Sequence, residues 1–233
     1  MKLRFSGWLG AFLVAATVLV ALVSLVWTPY DPTLAHPDIR LAGPSAEHLL
    51  GTDRFGRDTA SRIMAGAQIT VFVGLIAVGI AALVGVPLGI LAGMRRRTLA
   101  DALVMRGADL LLAFPALLLA IIAGAVWGPS TLTAMIAIGI AGIPSFARVA
   151  RSGTLQVITQ DFISSARIST VPGWKVALRH IVPNIAGLLI VQASVYFALA
   201  ILAEAGLSYL GLGTAPPAAS WAVSYTHLRA HET

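Results

Sequence analysis

The chain has 233 residues, of which 58% are hydrophobic and only 11% charged, about half the charge of an ordinary soluble domain. That excludes a soluble globule, and the absence of cysteine excludes a disulfide framework and a thiolate metal site. A net charge of +6 would suit a nucleic-acid binder only if the cations shared one face; here they lie in short connectors between apolar runs, where they act as topology signals.

The first apolar run, residues 8–27, can cross a hydrocarbon core of ~30 Å as a helix. Lys2 and Arg4 precede it as in a secretory signal, but the run is too long and no small-x-small cleavage site follows closely. It reads as a retained signal anchor. Residues 28–69 form a polar segment in which Gly51 and Gly56 permit tight turns. Asp53, Arg54, Arg57 and Asp58 are expected to pair among themselves or with a partner protein. Residues 57–70 have the pattern of an amphipathic helix lying at the membrane surface.

Further apolar runs at 70–93, 108–126, 131–147 and 185–202 bring the expected spans to five, uncharged except for Asp109. Asp109 is expected to pair with Arg106, three positions back on the same helix. Gly85, Gly89 and Gly93 place small residues on one helix face for close packing within the molecule. Pro87, Pro115 and Pro144 predict kinks, with neighbouring helices meeting the freed carbonyls. With the N-terminus inside, the inner connectors carry eleven basic residues and the outer ones four, so the positive-inside rule places the N-terminus in the cytoplasm.

One polar, basic island interrupts the apolar pattern on that side. Residues 161–182 read as two short helices, DFISSARIS and WKVALRHIV, around Val171-Pro172-Gly173, with Pro172 suited to open the second. Phe162, Ile163, Ile168 and Trp174 would arm this hairpin for a groove on a soluble partner; a solvated loop is the alternative. No catalytic constellation accompanies it. There is no G-x-x-x-x-G-K-[ST], G-x-S-x-G or H-E-x-x-H, and His180 reads as a helix-end or packing residue. A self-powered secondary carrier needs buried charges to couple an ion, and the single Asp109 supports it weakly. A membrane scaffold without transport is the other alternative.

SSARISTVPGWKVALRHIVPN, residues 164–184, resembles the EAA loop of inner-membrane permease subunits of ABC importers, with RHIVPN the closest match. Ser164 stands where that family usually has Glu, and Thr170 where it usually has Gly, at a turn position that strains a threonine. HLLGTDRFGRDTASRIMAGAQIT (48–70) is similar to a block of the dipeptide, oligopeptide and nickel permeases, C-type subunit. DLLLAFPALLLAI (109–121), SFARVARSGTL (145–155) and ILAEAGLSYLGLGTAPPAASWA (201–222) follow in the same order.

The resemblance implies an all-α, polytopic helix bundle in a bacterial inner membrane, half of a pore for di- or oligopeptides or a similar small solute. It implies a second related permease, two cytoplasmic ABC ATPases and an external solute-binding protein as partners, and no cofactor, metal or catalytic residue of its own. The implied layout is 1–27 for the N-terminus and first span, 28–69 outside, and 70–223 for the permease domain with its coupling loop at 152–184. The loop's expected contact residues are Ser164, Ser165, Ala166, Arg167, Thr170, Gly173, Trp174, His180, Ile181, Pro183 and Asn184. The outside motif is Gly51, Thr52, Asp53, Gly56, Arg57 and Asp58. The ending VSYTHLRAHET departs from the family, so 224–233 reads as a non-native tail and a sixth span as lost.

Overall fold

The computed structural model describes residues 5–214 and 217–221, apart from the side chains of Ser6 and Arg167. The tail at 224–233 lies outside the described residues. Helices dominate: α1 (Phe5–Ser24), α2 (Thr59–Met94), α3 (Leu99–Ala113), α4 (Ala116–Trp127), α5 (Thr131–Val157), α6 (Asp161–Ile168), α7 (Gly173–Val176) and α8 (Val182–Tyr209). Among the described residues the one bridge of extended chain pairs Thr52 with Asp58. Among the described residues, four helical stretches are long and apolar enough to cross a membrane, and the pair α3 and α4 makes a fifth if it is taken as one bent span.

Three sequence expectations change. The surface helix expected at 57–70 is the first part of α2, a single helix of 36 residues, because nothing between Thr59 and Met94 removes enough hydrogen bonds to stop it. The single span expected at 108–126 is broken: α3 and α4 meet at 80°. Pro115 has no N–H and drives the residue before it out of helical space; Phe114 accordingly takes φ −93°, ψ 126°. Pro87 and Pro144 remain inside unbroken helices. Finally, α8 runs on to Tyr209 and takes in Glu204, so Asp109 is not the only ionisable residue in the spans.

The chain divides into two units. In the unit of Gly74–Gly128 and Leu132–Ala203, α5 is the central helix, and glycines set its contacts. A Cβ on Gly85 or Gly89 would strike the backbone of Ile143 or Ala147, and one on Gly93 would strike Thr154. The G-x-x-x-G face of α2 is therefore seated against α5 within the molecule, as expected. On another side, Gly142 admits the ring of Tyr196 from α8. Tyr196 meets the buried Phe146 edge-on at 5.7 Å and donates to the Ile138 carbonyl at 2.5 Å. In lipid such helices gain from close packing and from hydrogen bonds of about 1 kcal/mol each, since the tails are as apolar as the side chains.

The other unit holds Met1–Val73, Pro129–Thr131 and Glu204–Thr233. Gly211, at φ 76°, ends α8 by letting Leu212 N–H reach the Leu207 carbonyl at 2.8 Å. Glu204 is buried beside this turn. Its Oε1 accepts from Ser208 Oγ at 2.5 Å and Thr214 Oγ1 at 2.9 Å, and Thr214 lies 3.2 Å from Thr131 Oγ1.

Candidate functional site

The polar island folds as a helical hairpin with a buried underside. Ile163 and Ala166 of α6, Val176 of α7 and Ile181 join Ile90 of α2, Ala150 of α5 and Ile185 of α8 in one apolar cluster. The opposite side is apolar and open: Ile168 is 84% exposed and Trp174 63%, with Leu178 and Phe162 also exposed. Residues spaced to serve both faces thus give a rigid base and a greasy top.

Local chemistry explains most of the motif. Between the helices Thr170 takes φ 54°, and Val171 N–H closes on the Ala166 carbonyl at 3.1 Å. This is the left-handed helix ending that glycine serves without strain, so the threonine is strained as expected. Pro172 caps α7, after which Ala177–Ile181 winds as a π-helical turn closed by Val182 N–H on the Ala177 carbonyl. Pro183 offers no N–H to this wider turn, and Asn184 Nδ2 donates to the His180 carbonyl at 2.7 Å. Pro183 and Asn184 therefore shape the join between loop and span. His180 lies against Phe162, ring centroids 6.1 Å apart, as a packing residue. Ser164 and Gly173 are exposed, and so is Ser165, whose hydroxyl donates back to the Asp161 carbonyl.

In the other unit the G-T-D-x-x-G-R-D stretch turns its side chains on one another. Gly51 (φ 70°) and Gly56 (φ 76°) make the turns, and a Cβ at either would hit the Ala42 or His36 carbonyl. Thr52 Oγ1 donates to the Ile39 carbonyl and accepts from Ala42 N–H. Asp53 accepts from the N–H groups of Phe55 and Arg57 at 2.8 and 3.0 Å and pairs with the Arg57 guanidinium at 2.7 Å. Asp58 caps α2: its Oδ2 accepts from Ser61 N–H and Oγ at 2.8 and 2.7 Å, while Oδ1 meets His48 Nδ1 at 3.0 Å. Burial opposes ionisation of both carboxyls, but these hydrogen bonds win and hold Asp58 and Asp53 below the usual carboxylate range.

Two ion pairs near the hairpin were not legible in the sequence. Arg151 of α5 grips Asp101 of α3 through Nε–Oδ1 at 2.6 Å and Nη2–Oδ2 at 2.9 Å. Asp109 pairs with Arg148 of α5 at 2.5 Å, not with Arg106 of its own helix; both side chains of the pair are exposed. The one hint in sequence was Thr98-x-x-Asp101, a capping pair at the start of α3: Thr98 Oγ1 accepts from Asp101 N–H, and Asp101 Oδ2 from Arg97 N–H.

Comparison with known proteins agrees with this architecture. Residues 85–228 match the sequence model of the binding-protein-dependent transport system inner membrane component. A putative peptide transport system permease protein of Brucella suis is 41% identical over 213 residues, 91% of this chain and 71% of that protein. A dipeptide transport system permease protein of Alkalihalophilus pseudofirmus is 40% identical over 212 residues, covering 91% and 69%. A di/tripeptide transport system permease protein of Pseudomonas aeruginosa is 36% identical over 222 residues, covering 92% and 73%. With a multi-pass helix bundle and a matching sequence over nearly its whole length, the chain belongs to the binding-protein-dependent inner-membrane permeases, the pore-forming subunits of ABC importers.

Proposed function

We propose that this permease carries di- or oligopeptides and takes its energy from a cytoplasmic ATPase docked on the hairpin of α6, α7 and the π-turn. The observation that carries the coupling role is the two-sided hairpin, with Ile163, Val176 and Ile181 fixed in the helix cluster and Ile168, Trp174 and Leu178 open. A lever must be stiff where it meets the spans and adhesive where it meets its driver, since ATPase closure biases the pore only through contacts that differ between states. Ser165, Arg167 and Thr170 belong to the same docking segment by position. The N-terminus and hairpin are cytoplasmic, in line with the basic connectors, and the 28–58 segment is outside. There Asp53, Arg57 and Asp58 stiffen a cap against which an external binding protein releases its solute. A second related permease completes the pore, and a second ATPase the motor. The peptide reading is supported by the printed functions of the relatives.

The test is reconstitution of the permease pair, ATPases and binding protein in liposomes. Trp174→Ala with Leu178→Ser is expected to abolish ATPase co-purification and peptide-stimulated ATP hydrolysis while the helix bundle stays folded. ATPase binding at the wild-type level in that variant would refute the docking role. Stimulation by a nickel chelate but by no peptide would refute the solute class.

A further inference from the structure

The helix α3 has two opposed faces. Asp101 and Ala108 are buried on one, and Asp101 is gripped by Arg151. Leu99, Leu103, Arg106 and Leu110 recur on the other within ~60° of arc at about 100° per residue, and the three leucines are 74%, 62% and 68% exposed. Just before α3, at the end of α2, come Arg95, Arg96 and Arg97, all exposed. None of these three, nor Arg106, is in an ion pair among the described residues.

A cavity of about 340 Å³ lies in the elbow between α2 and α3, walled by Leu88 of α2, Leu103, Gly107 and Leu111 of α3 and Ile143 of α5. The basic turn closes the elbow's apex. Leu88 lies seven residues before Arg95, so the cavity wall sits ~10 Å along the helix from the cations. A phospholipid has this layout, with a phosphate at one level and acyl carbons below it. Guanidinium groups bind phosphate through two parallel hydrogen bonds.

We propose that the Arg95–Arg97 turn and the elbow cavity form a binding site for an anionic phospholipid of the cytoplasmic leaflet. The arginines hold the headgroup phosphate, and the cavity takes the upper part of an acyl chain. The leaflet rests on the orientation proposed above; the site itself does not. Its consequence is a lipid clamp on the helix that Asp101 ties to α5, beside the loop that receives the ATPase.

The assembled transporter is reconstituted in vesicles of equal parts phosphatidylglycerol and phosphatidylcholine and re-extracted, and the retained lipids are counted by native mass spectrometry. Wild type is expected to enrich phosphatidylglycerol. Arg95→Gln, Arg96→Gln and Arg97→Gln together are expected to remove the enrichment, by about fivefold per arginine. Gly107→Phe is expected to remove it with all arginines intact, since a Cβ at Gly107 meets nothing and the ring fills the cavity. Enrichment retained in either variant overturns the site. So does loss of ATPase co-purification in the arginine variant with enrichment kept, which would assign the turn to the ATPase. Labelling of Arg96→Cys in this cysteine-free chain from each side of the vesicle tests the orientation separately.

Discussion

Asp101 and Arg151, fifty residues apart, meet as a two-point ion pair, with Nε–Oδ1 at 2.6 Å and Nη2–Oδ2 at 2.9 Å. The same carboxylate accepts Arg97 N–H, so one side chain both starts α3 and ties it to α5. Asp101→Asn or Arg151→Gln is expected to lower the stability of the purified permease by about 2 kcal/mol each. The double variant should cost less than their sum. Arg151→Lys should recover only part, because an ammonium lacks the planar fork. Thermal unfolding in detergent measures all four.

Gly89 sits where a side chain would meet the Ala147 backbone and Ala150 Cβ, whereas Gly79 faces open space. Gly89→Val is expected to destabilise by about 1–3 kcal/mol through overpacking. Gly79→Ala should be neutral or slightly stabilising, since alanine is the better helix former. Equal effects at the two positions would refute the close seating of α2 on α5.

Thr170 holds φ 54° at the end of α6. Replacing it with glycine removes a left-handed cost of about 1–2 kcal/mol and returns about 0.5–1 kcal/mol in unfolded-state freedom. Thr170→Gly should therefore stabilise the hairpin, seen as slower amide exchange over 163–176. Faster exchange would show that the threonine side chain contributes more than the turn costs it.

Asp53 and Asp58 titrate below their unfolded value of 3.8. The unfolded segment thus binds protons more readily than the folded one. Their contribution to the 28–58 cap is complete above that value and is lost as pH falls through the depressed folded values. Amide protection of residues 51–61 should hold from neutral pH down to the mid-acid range and collapse only below the ordinary carboxylate value. Asp58→Asn should weaken that acid step while retaining a cap for α2.

Glu204 accepts from both Ser208 and Thr214 in a buried position. Glu204→Ala removes the acceptor shared by two hydroxyls and is expected to cost about 1–3 kcal/mol. Glu204→Gln keeps an acceptor and should cost less. A reversed order, read by thermal unfolding, would assign the role to charge.

Composition and periodicity alone determined that this is a membrane helix bundle, where most spans lie, and that residues 161–182 form a helical hairpin. Hydrophobic runs, proline and glycine act within a few residues, so the chain carries those decisions locally. The blocks around Gly51 and His180 marked the family for the same reason. What tertiary structure alone decided was pairing and continuity. Asp109 pairs with Arg148, thirty-nine residues away on α5, rather than with Arg106 three positions back. Of three prolines only Pro115 broke its helix, whereas Pro87 and Pro144 are held within α2 and α5, which pack against each other. Asp101 met Arg151, and Ile163 met Ile90 and Ile185, because the fold brought distant turns together. No local pattern encodes such meetings, for they depend on which helix faces the lipid and which faces its neighbours.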